Sequence, residues 1–143
     1  MRRAGVFLLS ALCAASVGVG AGGSASAEDD AGAPVAATIT CPPVATPGRV
    51  RCDVEARVAE GETIAWGDVV LVRVASFASA LRGRIGPHAA TVHEPREWLW
   101  PLALVAREKG HGAVEGRVRL VVCRAGACTP RSIDVAGTID VGG

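Results

Sequence analysis

From Arg49 to Val58 the chain alternates without a break. Val50, Cys52, Val54, Ala56 and Val58 are apolar, while Arg49, Arg51, Asp53, Glu55 and Arg57 between them are charged. Side chains of a strand point to opposite faces in turn, so this period of two specifies a strand with one face buried and one in water. A helix would spread the same charges around its whole circumference. A shorter run of the same kind, Ala37, Ile39 and Cys41, precedes it and is cut off by Pro42-Pro43. Pro47-Gly48 turns the chain into the long strand, and Glu60-Gly61-Glu62 ends it.

The pattern recurs downstream. Asp68 to Ala75 is a β-branched run, apolar apart from its leading Asp68 and from Arg73, as in a central strand. Trp98, Trp100, Leu102 and Leu104 share one parity, but Pro101 among them predicts an edge or bulged strand. Val114, Val118, Leu120 and Val122 alternate with Glu115, Arg117 and Arg119. After the connection Arg124-Ala125-Gly126-Ala127, Ile133, Val135, Ile139 and Val141 alternate with Ser132, Asp134, Thr138 and Asp140, completing a hairpin. Ser76 to Glu97 reads as an irregular loop, a length that in a compact domain belongs to function or mobility. No segment carries a helical period. The expected fold is all-β, an immunoglobulin-like antiparallel β-sandwich with a C-terminal hairpin, and the alternative is an open barrel.

The first residues follow a different logic. Met1-Arg2-Arg3 is basic, Ala4 to Gly23 is apolar or small around Val6-Phe7-Leu8-Leu9, and Ala25-Ser26-Ala27 offers a small-residue cleavage site. This is the order of a secretory signal peptide over residues 1–27. Ala4-Gly5 does not fit a twin-arginine signal, and Leu12 before Cys13 does not fit a lipoprotein site. Residues 28–34 read as a flexible acidic leader, and residues 35–143 as one domain. Setting aside Arg2 and Arg3 from the 15 basic residues leaves 13 against 14 acidic ones, which argues against a nucleic-acid binder. No later run reaches membrane-spanning length, so the processed chain is expected outside the cytoplasm, periplasmic or secreted, and not spanning a membrane.

Without Cys13, the cysteines are Cys41, Cys52, Cys123 and Cys128, an even number in an oxidising compartment. Cys52 lies on the apolar face between Val50 and Val54, and Cys41 shares parity with Ile39. A bond between them clips the first two strands together from inside and stabilises by about 3 kcal/mol. Cys123 falls on the outer face of its strand, and Cys128 has the parity of outward Ser132 and Asp134. A bond there closes a short loop in the open. Such a bond is accessible to thiolates, and Arg124 favours the thiolate form of Cys123. Spacing leaves two readings open, an exchanging bridge or a pin for the hairpin.

Val121-Val122-Cys123-Arg124-Ala125-Gly126-Ala127-Cys128-Thr129-Pro130, with Ile133 and Val135 after it, resembles the redox hairpin of the N-terminal domain of the bacterial thiol–disulfide interchange protein DsbD. Pro47-Gly48 and the order of strands also resemble that family. The resemblance implies an immunoglobulin-like domain that takes electrons from a membrane carrier and passes them to periplasmic thiol proteins. Cys128 would form mixed disulfides and Cys123 would resolve them, with no cofactor and no metal. Phe77 is the one aromatic nominated as a cap over this bridge. The sequence departs from the family in enclosing four residues rather than five, in Thr129-Pro130-Arg131 after the second cysteine, and in the extra Cys41–Cys52 pair.

The other candidates are weak. His88 and His93, with Glu94, match no compact metal signature, and His111 stands apart. Trp98 and Trp100 at strand spacing belong to a core. Ser76 and Ser79 have no partners for hydrolysis. The sequence therefore supports two functions: thiol–disulfide exchange through Cys123 and Cys128, or a non-catalytic exported immunoglobulin-like binding or structural domain with two permanent disulfides.

Overall fold

The computed structural model describes residues 34–143, so the signal segment, Cys13 and nearly all of the acidic leader lie outside the described residues. The strands are β1 (Ala36–Thr40), β2 (Gly48–Arg57), β3 (Thr63–Val74), β4 (Ala78–Ala80), β5 (Arg84–Ile85), β6 (Val92–His93), β7 (Glu97–Ala106), β8 (Gly110–Arg124) and β9 (Ala127–Val141). All strand pairings within the sheets are antiparallel. One sheet runs β1-β2-β7-β4 with β6 also on β7, and the other runs β5-β3-β8-β9. Two open sheets face to face make the sandwich and exclude the barrel. No helix among the described residues is long and apolar enough to cross a membrane.

The alternation translates directly into burial. Val50, Cys52, Val54 and Ala56 from β2, Trp98, Trp100, Leu102 and Leu104 from β7, and Val114, Val118, Leu120 and Val122 from β8 are all buried. Each strand delivers one face to a single core, and its charged face stays in water. Close packing shows at Gly67, where an added Cβ would stand 2.7 Å from Leu120 and 2.9 Å from Trp100. β1 crosses β9 at Gly137, where a Cβ would come within 2.6 Å of the Ile39 carbonyl oxygen.

Two expectations are corrected. β7 is an interior strand, not an edge, in spite of Pro101. The Cα atoms of Cys41 and Cys52 are 4.2 Å apart, the spacing of a non-hydrogen-bonded pair, so Cys52 turns its peptide groups toward Leu102 of β7. Asp53 and Pro101, the next pair, are then non-hydrogen-bonded, and the proline nitrogen faces away from β2. That side of β7 pairs with β6 at Trp98 and Leu99 and with β4 from Leu104 to Ala106, leaving a gap at Pro101. Secondly, the segment read as an irregular loop holds three short strands and a 3-10 turn at Pro87–Ala89, which close the open side of the sandwich.

Candidate functional site

The β8–β9 hairpin ends in the tightest connection available. Arg124 pairs with Ala127, so only Ala125 and Gly126 form the turn, at φ 48° and 81°. Positive φ at both central residues is the turn that matches the twist of a hairpin. The sequence reading had the loop two residues longer. Thr129 and Pro130 do not break the register: Cys123 lies directly opposite Cys128, Val122 opposite Thr129, and Val121 opposite Pro130.

Both disulfides are formed. Cys41–Cys52 lies on the inner face, with Cys52 fully buried and Cys41 half-buried against the core. Cys123–Cys128 spans the outer face at the hairpin tip, with Cys128 exposed and Cys123 half-buried. Phe77 does not cap it. The Phe77 ring packs on Gly110 and Gly112, at the opposite end of β8, about 40 Å along the strand from Cys123.

Two buried carboxylates, which the sequence did not single out, organise this end of the molecule. Glu62, in the connection before β3, has a fully buried side chain. Arg131 of β9 donates to it at 2.9 and 3.3 Å, and Arg124 of β8 stands at 3.5 Å. Glu62 therefore ties the two hairpin strands to the start of β3. The Arg131 hydrogen bonds hold its carboxyl below the ordinary range of 4.5, against the burial that pushes it up, and the charge of Arg124 helps.

Asp68 is also fully buried, although it lies on the outer face of its sheet. Arg119 donates to it through Nε at 2.8 Å and through a terminal nitrogen at 2.5 Å, and Arg84 donates through Nε at 2.6 Å. The Arg119 bonds keep its carboxyl below the ordinary 3.8, outweighing burial, and Arg84 adds to the effect. The two arginines roof the carboxylate and keep their outer edges in solvent.

Beside this roof runs an open groove of about 510 Å³, floored by Trp66, Val121 and Pro130 and walled by Arg84, Arg119 and Ser132. Trp66 reaches it because the ladder slips between Ile64 and Trp66: Ile64 pairs with Val122, but Trp66 pairs with Val121. A β-bulge of this kind turns the residues beyond it to the other face.

The remaining candidates separate. Trp98 and Trp100 are core, and His93 lies over Trp98 with ring centroids 3.8 Å apart. His88 and His93 line a cleft with Trp66 and Trp98. His111 stands 3.7 Å from Asp140. Among the described residues no three His, Cys, Asp or Glu side chains gather as a metal site.

No protein-family model matches this chain, and no curated protein matches it. Solved structures do. AggA, the major subunit of aggregative adherence fimbriae type I from Escherichia coli, is 9% identical with a TM-score of 0.40, over 78% of this chain and 97% of that one. BslA, a bacterial hydrophobin, is 11% identical with a TM-score of 0.36, over 76% and 93%. A structure of the AAF fimbriae of enteroaggregative Escherichia coli, described for fibronectin binding and biofilm formation, is 10% identical with a TM-score of 0.35, over 76% and 99%.

Proposed function

We propose that the chain is an exported immunoglobulin-like binding or structural domain whose two disulfides are permanent. The observation that carries this reading is the way the surface cysteines are held. Cys123 and Cys128 are directly opposed in an uninterrupted ladder, and Glu62 grips Arg124 beside one and Arg131 beyond the other. Reduction would leave both thiols facing each other at a high effective concentration, which favours closure and lowers the potential of the pair.

The test is an equilibrium redox titration of each pair in the whole chain. Both midpoints are expected below about −300 mV, the range of disulfides that glutathione does not reduce. A Cys123–Cys128 midpoint within the glutathione range overturns the reading.

The exposure of Cys128 favours a second reading, thiol–disulfide exchange of the kind the DsbD resemblance implies. In that reaction the Cys128 thiolate attacks a partner disulfide and expels one partner thiolate. Cys123 then attacks the Cys128 sulfur, releasing the second partner thiolate and closing the bridge, so two electrons pass to the partner. Replacing Cys123→Ser would trap the mixed disulfide on Cys128. No trapped partner from a periplasmic extract sinks this second reading.

A further inference from the structure

We infer that the gap beside Pro101, between β4 and β6, receives the C-terminal residue of a peptide, one with an apolar side chain. The inference rests on the reading of the chain as a binding domain and names its ligand. The site belongs to the sheet that does not carry Cys123–Cys128.

The backbone leaves one acceptor open there. Leu99 and Ala103 give their carbonyls to the N–H groups of Thr91 and Leu81, at 2.8 and 3.1 Å. Pro101 lies midway between them and faces the same way, because alternate residues of a strand turn their peptide groups to the same side. Neither β4 nor β6 reaches it, and among the described residues no backbone N–H donates to its carbonyl. Proline has no N–H of its own, so this stretch of edge accepts and cannot donate. It suits a single donor rather than an added strand.

A cleft of about 330 Å³ opens at the gap, with Leu81, Ile85, Ala89 and Ala103 among its walls. That volume is at the low end for ligand pockets, room for one residue rather than a polymer segment. Leu81 is one of two large apolar side chains exposed among the described residues, so covering it is favourable.

Charge selects the end of a chain. Arg49 and Arg82 also line the cleft, and among the described residues neither makes an ion pair or a side-chain hydrogen bond. Arg51 and Asp53, opposite Ala103 and Pro101 on β2, stand 3.9 Å from each other and largely offset. The two free guanidinium groups are planar forks suited to a carboxylate. A C-terminal residue matches all three features. Its carboxylate meets the forks, its amide N–H meets the Pro101 carbonyl, and its side chain meets Leu81 and Ile85. With a hydrogen bond at each end, one residue bridges about 9 Å from acceptor to guanidinium. Pro101 and Ala103 are about 7 Å apart along β7, so the span fits. A free aliphatic acid has no N–H to offer the carbonyl.

The experiment is fluorescence anisotropy of an N-terminally labelled Gly-Ser-Gly-Ser-Leu peptide against the whole chain. The same peptide ending in an amide, and hexanoate as competitor, are the comparison ligands. The free-acid peptide is expected to bind, more weakly as salt rises, and the amide about tenfold more weakly. Arg82→Gln, at an exposed side chain, weakens the acid peptide about tenfold and leaves the amide unchanged. Ala103→Phe fills the cleft from a half-buried strand position, where an aromatic is accepted, and abolishes binding of both. Circular dichroism checks that both variants keep the fold. Equal binding of acid and amide, no binding of either, or binding undiminished by either variant overturns the inference. So does hexanoate matching the peptide in affinity, because the cleft would then be a site for free acids. The redox titration reads the bridge alone, so failure of the domain reading and failure of this site are told apart.

Discussion

Replacing Asp68→Asn isolates the value of a buried charge on a sheet face. The carboxylate accepts three hydrogen bonds from two arginines, at 2.5, 2.6 and 2.8 Å. The amide keeps one acceptor oxygen, loses the charge, and leaves two guanidinium groups facing each other across a neutral group. Removing one partner of a buried pair costs about 3–5 kcal/mol. Arg84 and Arg119 are roughly half exposed and can turn to water, which lowers the cost to about 2–3 kcal/mol. For a domain of this size that lowers Tm by about 10 °C or more. Urea unfolding at neutral pH measures it. The pH dependence supplies the sharper check. The folded-state pKa of Asp68 lies below its unfolded value, so its stabilisation is complete above the ordinary carboxylate range and is lost as pH falls through the folded value. The gap between wild type and variant must therefore close in acid. A loss under about 0.5 kcal/mol at neutral pH, or a gap still undiminished near pH 2, refutes the argument.

Other outcomes follow from the same geometry. Glu62→Gln should loosen the hairpin tip and raise the Cys123–Cys128 midpoint, read by the same redox titration, while leaving Cys41–Cys52 unchanged. The bridges span 11 and 5 residues, so removing Cys41–Cys52 should cost about 3 kcal/mol and removing Cys123–Cys128 about 2 kcal/mol in denaturant unfolding. Ala125 holds a left-handed φ of 48°, so Ala125→Asn should stabilise by about 0.5–1 kcal/mol, visible as a rise in Tm. Gly137→Ala drives a methyl against the Ile39 carbonyl and should destabilise by about 1–3 kcal/mol in calorimetry.

What the sequence disclosed and what it hid have the same cause. Parity works wherever the ladder keeps step, so the inward faces of β2, β7, β8 and β9 and the opposite placement of the two bridges were legible. It fails where the ladder slips. Read without interruption, Ile64, Trp66 and Asp68 would share a face. The bulge after Ile64 sends Trp66 and Asp68 to the outer face, opposite Val121 and Arg119. Glu62 was hidden differently: it reads as a turn residue, and only the return of Arg131 from the end of the chain buries it. Pro101 misled because its missing donor was weighed without knowing that β4 and β6 leave a gap beside it. Phe77 was nominated only because the resemblance implies an aromatic cap, and its ring fills the space that Gly110 and Gly112 leave.

The bulge and the clamp belong to one arrangement. β3 and the residue before it bring Asp68 and Glu62 to opposite sides of the same hairpin, Glu62 beneath its tip and Asp68 over its outer face. A buried carboxylate needs cations, and the hairpin supplies Arg119 and Arg131 from adjacent levels of its ladder and Arg124 from its tip. Satisfying those two acids fixes the two strands that carry the exposed bridge, which is the physical basis for the low midpoint expected of Cys123–Cys128.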